Sequence, residues 1–457
     1  MERAARAAAD DAGVPNLLGA VDRVAVPQGS WSLTDPGRSV AIRIGAAVAR
    51  SVRYEIGVSQ QEMVNDALIA VAKGTADVVL VVGGEARAFA RAGGTEVDDQ
   101  SEPPDEVVTR PADFVAPVEI AAGLVWPVVQ QYALIENALA HAEGLSPTQQ
   151  RDDVARLWGR FNQVAAANPQ AAFPEPKSAR DIATPGPKNR PLASPYNVWH
   201  SSQWTVDQAA ALLVCSTETA ATFGVPKDRW VFPHVAVTSS AAITLTARRR
   251  LHRWPAMAVL GRAAETSLGR PLRALALTEV YSCFPAAVRV QQRELGLDLD
   301  GTPTLTGGMT FAGGPFNHYV LQSMATLVDR LRAQPGELGL VTTVSGMLSK
   351  PGLAVWSCAP PERAPHIADL GAEGTDATDL QPVAPEESAH GRGTVVSATV
   401  TYDIEHPLDP VRTAVVVDLD DGSRTAAAYE DARTARQTLA EGLIGHTVNI
   451  DGVSFNP

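Results

Sequence analysis

The sequence predicts an α/β protein of two similar halves, interrupted by a long insertion and followed by a small antiparallel β-barrel. Three observations carry this. Apolar strand-like runs alternate with helical runs over the first 85 residues, and a second series in the same order begins near Arg249. Beyond residue 389 the pattern changes to short alternating strands joined by tight turns.

Residues 1–13, MERAARAAADDAG, read as a helix with an alanine face and a stop at Gly13. Strands are expected at Val21–Val26 and Ser51–Ile56, with a helical run at Val40–Ala49 between them. Gln60–Lys73 is helical and closes on Gly74, and Ala76–Val82 is a continuous apolar strand of the kind buried on both faces. From Ala86 to about Trp199 the alternation gives way to an insertion rich in proline, tryptophan and polar residues. It carries two helices, Pro127–Ala142 and Pro147–Ala167, each opening on a proline that suits the first helical position, then a looped stretch, Gln170–Pro195. Connections of this length are usually functional covers.

The sheet pattern resumes at Asp207–Cys215 and Trp230–Val237. The second series is a helix from Arg249 to about Ser267, a strand at Leu275–Val280, two glycine turns, a helix at Val320–Leu331 and strands at Leu338–Val344 and Gly352–Ser357. The repeated order predicts an internal duplication. Residues 1–248 form the first half with the insertion at 86–199, 249–360 the second half, 361–389 a linker and 390–457 the barrel. The barrel strands are Gly393–Tyr402, Arg412–Leu419, Ser423–Tyr429 and Thr447–Ile450, with Asp421 and Gly422 at a hairpin turn, and they suggest an OB-type fold.

A formal net charge of -13 over 457 residues, with no basic block, argues against a nucleic-acid partner. The barrel has neither aromatic stacking platform nor basic groove, which points the same way. Cys215, Cys283 and Cys358 are widely spaced with no CxxC pair, which suits a reducing cytoplasm and excludes a structural zinc motif. The histidines show no HxxxH spacing, so no metal is expected. No apolar run is long enough to span a bilayer, and no signal peptide is visible, so a cytoplasmic protein is expected.

Chemistry is expected between Leu275 and Tyr319. A buried strand ends there at Tyr281, Ser282, Cys283 and Phe284, and glycine turns at Gly307–Gly308 and Gly313–Gly314–Pro315 feed a helix. Strand ends and helix N-termini present unpaired backbone N–H groups to a ligand. Tyr281 reads as a general acid/base or as a hydrogen-bonded core tyrosine. Cys283 reads as a residual acid/base or as an inert buried thiol. Asn317 reads as a helix cap or an oxyanion donor, and the cap is preferred. Gly313 and Gly314 read as backbone that a ligand approaches closely. His318 reads as a candidate catalytic imidazole or as one that the rigid turn points elsewhere, and Tyr319 as a candidate ligand contact.

Four stretches carry a family resemblance. VNDALIAVAKGTADVVLVVGGEA is similar to the helix-strand segment that follows the nucleophilic cysteine of thiolases, and VDQAAALLVCS resembles their second N-domain signature. TEVYSCF falls where the sterol-carrier-protein thiolases carry HDCF, and TGGMTFAGGPFNHY falls where thiolases carry a GG turn and then GHP. The ordered series runs from residue 1 to about Pro361, and the chain most resembles the thiolase-like proteins described as acetyl-CoA acetyltransferases with an added C-terminal β-domain. The resemblance implies a duplicated five-layer αβαβα thiolase fold, CoA or acyl-CoA as ligand with no tightly bound cofactor, and a role in lipid metabolism. It places His234 near the CoA-binding loop. It implies a homodimer, with the extra domain leaving a monomer open.

The departures decide the expected activity. The resemblance puts the nucleophile at or beside Gly57, the GHP histidine at Gly314 and the late cysteine near Thr342 or Thr343, so only Cys283 keeps its residue type. Thiolase chemistry needs a thiolate to take the acyl group. Little or no thiolase activity is therefore expected, and a CoA- or acyl-CoA-binding protein is the leading reading. An alternative is a retro-aldolase on a β-hydroxyacyl-CoA, with Tyr281 and Tyr319 as acid/base. Another is a non-catalytic scaffold for an OB-fold partner protein, of which residues 393–457 would be a fused counterpart. Family members also begin with a VxGxG strand before the first helix, and this chain begins at that helix. A start further upstream is preferred over loss of one central strand, which would leave buried backbone groups unpaired.

Overall fold

Two five-stranded mixed sheets are built from the alternating segments. A computed structural model describes every residue except 112–113, 387–388 and 457. The first sheet has the order β4 (Glu106–Val108), β2 (Arg50–Tyr54), β1 (Arg23–Pro27), β3 (Val78–Ala86) and β7 (Asp207–Cys215), with only β7 antiparallel to its neighbour. The second has the order β12 (His366–Asp369), β8 (Phe232–Thr238), β11 (Lys350–Ser357), β10 (Leu338–Ser345) and β9 (Leu277–Glu279). The helices Gln60–Ala72 and Tyr319–Ala333 each pack against strands of both sheets. Their buried faces, Met63, Val64 and Leu68 on one and Val320, Met324 and Leu327 on the other, belong to one core cluster that joins the halves. Among the described residues no helix is long and apolar enough to cross a membrane.

The halves share a motif: β1–β3 and β9–β10 are parallel pairs, and β3–β7 and β10–β11 are antiparallel ones. They differ at the outer edge. In the second half β8 pairs antiparallel with β11, whereas among the described residues β7 pairs with β3 alone. A groove of about 510 Å³ runs beside that open edge, between β7 and the helices Glu2–Asp11 and Tyr319–Ala333. Among the described residues the first sheet has no gap at its centre. Arg23, Val24 and Ala25 of β1 pair directly with Val79, Leu80 and Val81 of β3, so the centre is closed and the open position is an edge.

The stretch expected as a linker is partly ordered into the body. β12 pairs in parallel with β8, and the short helix Gly371–Asp376 follows it. The tail forms a closed five-stranded barrel in which β13 (His390–Tyr402) pairs with β14 (Pro410–Leu419), β14 with β15 (Arg424–Tyr429), β15 with β17 (Ser454–Asn456), β17 with β16 (Thr447–Asp451), and β16 with β13. The insertion hairpin of β5 (Pro191–Ala193) and β6 (Tyr196–Asn197) extends this sheet through β13.

The barrel is also fastened to the junction of the two halves by Arg424, which is 1% exposed. Its guanidinium pairs with Asp418 (Nε–Oδ1 2.6 Å) and donates to the carbonyls of Arg248 and Arg249. Asp418 stays part-exposed when Arg424 is removed, so the cost falls on the carbonyls left without a donor, at about 1–3 kcal/mol for each buried one. Arg424→Leu is expected to lose about 3 kcal/mol of stability in denaturant unfolding, and an unchanged midpoint would show that the barrel is not held this way.

Candidate functional site

β9 delivers a carboxylate and then a phenol to the interior. Glu279 is fully buried and accepts from five donors: the Leu305 and Thr306 amides and the hydroxyls of Thr304, Thr306 (2.9 Å) and Tyr319 (2.8 Å). Burial pushes its carboxyl above the usual range, and the five donors oppose that shift. The network ties the first glycine turn and the start of the helix Tyr319–Ala333 to the strand, so the Tyr319 hydroxyl is already engaged.

Two residues on, the Tyr281 backbone is held at both ends. Its amide donates to the Thr342 hydroxyl (2.9 Å), its carbonyl accepts from Gln291 (2.9 Å), and Thr342 donates to Gln291 (2.6 Å). The ring lies edge-on to Tyr319 with centroids 5.8 Å apart. Among the described residues its hydroxyl has no hydrogen-bond partner, and burial keeps the phenol protonated by raising its pKa. The Cys283 thiol faces the Tyr132 phenol from the insertion, and burial raises it to about 12. At that value the sulfur is a neutral thiol at pH 7.

The glycine turns approach protein side chains. A Cβ on Gly314 would fall on the Ser202 hydroxyl, and one on Gly313 on the Gln208 amide. Ser202 is fixed there because its amide donates to the Cys283 carbonyl (2.9 Å) while Gly314 donates to the Gln203 carbonyl (2.9 Å). Phe316 follows with φ 41°, a left-handed backbone that costs a non-glycine residue about 1–2 kcal/mol. Asn317 does not cap the helix: its side chain donates to the Gln28 carbonyl (3.1 Å), and His318 holds the cap position without a side-chain bond. His318 is 2% exposed against Gly83, and burial lowers its pKa to about 3. His234 lies on β8 and bonds the Ala359 carbonyl (2.9 Å).

At the expected nucleophile position Gly57 has φ 107°, just before the helix Gln60–Ala72. Its carbonyl accepts from the buried Lys350 ammonium, which also donates to Pro111 of the insertion (3.3 Å). A side chain at Gly57 would meet the Arg110 carbonyl at 3.6 Å and Lys350 at 3.9 Å, with no thiol or imidazole within 4 Å. Cys215 lies on β7 and Cys358 just after β11. At the late-cysteine position Thr342 and Thr343 are both buried on β10, and the Thr343 hydroxyl has no partner among the described residues. Among those residues no cluster of three His, Cys, Asp or Glu could hold a metal ion.

This geometry belongs to a known structural group. Over 99% of its length, and 93% of the other chain, the protein is similar to a monomeric SCP2-thiolase-like protein type 1 from Mycobacterium smegmatis, at 30% identity and a TM-score of 0.82. The chain belongs to the SCP2-thiolase-like family. Two more distant likenesses show the fold alone. The Ltp2-ChsH2(DUF35) aldolase matches at 22% identity over 77% of this chain and 90% of that one (TM-score 0.55). Human mitochondrial 3-ketoacyl-CoA thiolase matches at 17% over 78% and 91% (TM-score 0.54). No protein-family model matches the sequence, and neither does any curated protein.

In this SCP2-thiolase-like chain the structure brings Tyr281, Cys283 and Tyr319 together, places Gly314 against Ser202, and puts His234 on a strand of the second sheet. Sequence reasoning missed Ser202, Gln208, Tyr132, Lys350 and Glu279. Two of these carried a signal: Glu279 and Lys350 are charges beside apolar strand runs, where an ion is tolerated only if it is paired. The other three reach the site through contacts between distant segments, which no local pattern encodes.

Proposed function

We propose that this protein binds CoA or an acyl-CoA in lipid metabolism and carries out neither Claisen condensation nor thiolysis. One observation carries the second part of the reading. The two positions that would supply a sulfur and an imidazole are glycines whose surroundings are already engaged, Gly57 by Lys350 and Gly314 by Ser202. The family scaffold supports the first part, with two central helices between two mixed sheets in the manner of a duplicated five-layer fold. We read the barrel as OB-type, because its helix Ala432–Glu441 falls between the third and fourth of five closed strands. Calorimetric titration with CoA and acetyl-CoA is expected to give saturable binding with Kd on the order of 10 μM, about -7 kcal/mol. No saturable binding would refute this reading and favour a scaffold that docks an OB-fold partner.

A second reading is favoured by the unpartnered Tyr281 phenol. In a retro-aldol cleavage a base takes the β-hydroxyl proton, the Cα–Cβ bond breaks to release a ketone or aldehyde, and the acyl-CoA enolate takes up a proton. A phenol held protonated suits the last step as acid. Tyr319 does not suit the first, since its hydroxyl is bound to Glu279 and Thr306. Under this reading carbonyl release from a β-hydroxyacyl-CoA falls at least ~100-fold in Tyr281→Phe while CoA binding is kept. Equal release by both proteins would exclude Tyr281.

A further inference from the structure

A strained backbone, a stacked cation and an exposed indole meet at one place on the surface. Phe316 holds its left-handed backbone there, with its ring 6.2 Å from Trp204. The Arg87 guanidinium lies 3.4 Å over the Trp204 ring and, among the described residues, makes no ion pair and no hydrogen bond. Trp126 leaves 67% of its surface exposed beside Trp204, at 5.9 Å and tilted 52°. Strain, an unneutralised cation and an exposed indole at one point mark a place kept for a ligand rather than for stability.

We propose that Arg87, Trp126 and Trp204 form the subsite for a phosphorylated adenosine, the nucleotide end of the CoA in the reading above, on which this inference rests. An exposed indole offers a π-face to a purine, a contact that tolerates solvent and needs no enclosed pocket. A guanidinium stacked on an aromatic ring has a fixed plane, and its paired N–H groups match a phosphate. The position of the cluster fits as well. Trp204 follows Ser202 and Gln203, whose amides bond the carbonyls of Cys283 and Met309, so the subsite sits at the surface end of the segment that lines the Tyr281–Cys283 cluster.

The test is calorimetric titration of the full chain with 3′,5′-ADP, CoA and acetyl-CoA, repeated on Arg87→Ala and Trp126→Ala. Trp126 is exposed enough for its removal to leave the fold intact, which keeps the test interpretable if the Arg87 variant is unstable. The expected result is saturable binding of all three, weakened about tenfold in each variant. CoA binding that neither variant weakens would overturn the subsite and leave the proposed function standing. Loss of 3′,5′-ADP binding in both variants, with no added affinity for CoA or acetyl-CoA over 3′,5′-ADP, would support the subsite and count against the acyl-CoA reading. No binding of 3′,5′-ADP to the native chain would overturn the subsite outright.

Discussion

Acetoacetyl-CoA and CoA incubated with the purified protein are expected to react no faster than in buffer. A covalent nucleophile and its base act as a unit, and losing them typically costs on the order of 10⁴–10⁶ in rate. Under the proposed reading the positions that would supply them are Gly57 and Gly314. The Cys283 thiol is neutral and faces a phenol, and the His318 imidazole stands four residues past Gly314 against Gly83. The double variant Gly57→Cys, Gly314→His is expected to stay inactive and to lose stability. A side chain at φ 107° costs about 1–2 kcal/mol, and one at 314 must displace Ser202, an overpacking that costs about 1–3 kcal/mol. The combined loss of about 3 kcal/mol is read in denaturant unfolding. Robust thiolysis by the native protein would refute the reading.

Acid is expected to destabilise the fold well before the carboxylates titrate. His200 and His318 are each 2% exposed, and burial lowers both to about 3, from an ordinary value near 6.5. The His200 Nδ1 accepts from the Asn197 amide (3.0 Å), and Nε2 of each ring has no partner among the described residues, so the fold holds neutral imidazoles. Because the folded pKa lies below the unfolded one, only the unfolded chain takes up these protons as the pH drops below 6.5, and stability falls with pH down to about 3. At pH 5 each histidine contributes a loss of about 2 kcal/mol, about 4 together. Urea midpoints at pH 7.5 and 5 measure it. His200→Asn is expected to remove about half of the difference, and a midpoint unchanged between the two pH values would contradict the burial argument.

Legibility followed the length and apolarity of each segment. The helix expected at Val320–Leu331 is Tyr319–Ala333, and the apolar strands at Leu338–Val344 and Gly352–Ser357 are β10 and β11, because a long run fixes both period and burial. β4 and β12, by contrast, are three and four residues long and carry Glu106, His366 and Asp369. They are strands because β2 and β8 offer partners more than fifty residues away, so no local pattern reveals them. The site was legible as a set of residue types at strand and turn ends. What occupies the space around Gly57 and Gly314 was not, since Lys350 and Ser202 reach them from 293 and 112 positions away in the chain.

The central claim is that a thiolase scaffold persists here without a sulfur that can be acylated. Intact-protein mass spectrometry after incubation with acetyl-CoA at neutral pH, followed by peptide mapping, tests it directly. The protein is expected to keep its unmodified mass. A stoichiometric acetyl adduct mapped to Cys215, Cys283 or Cys358 would contradict it.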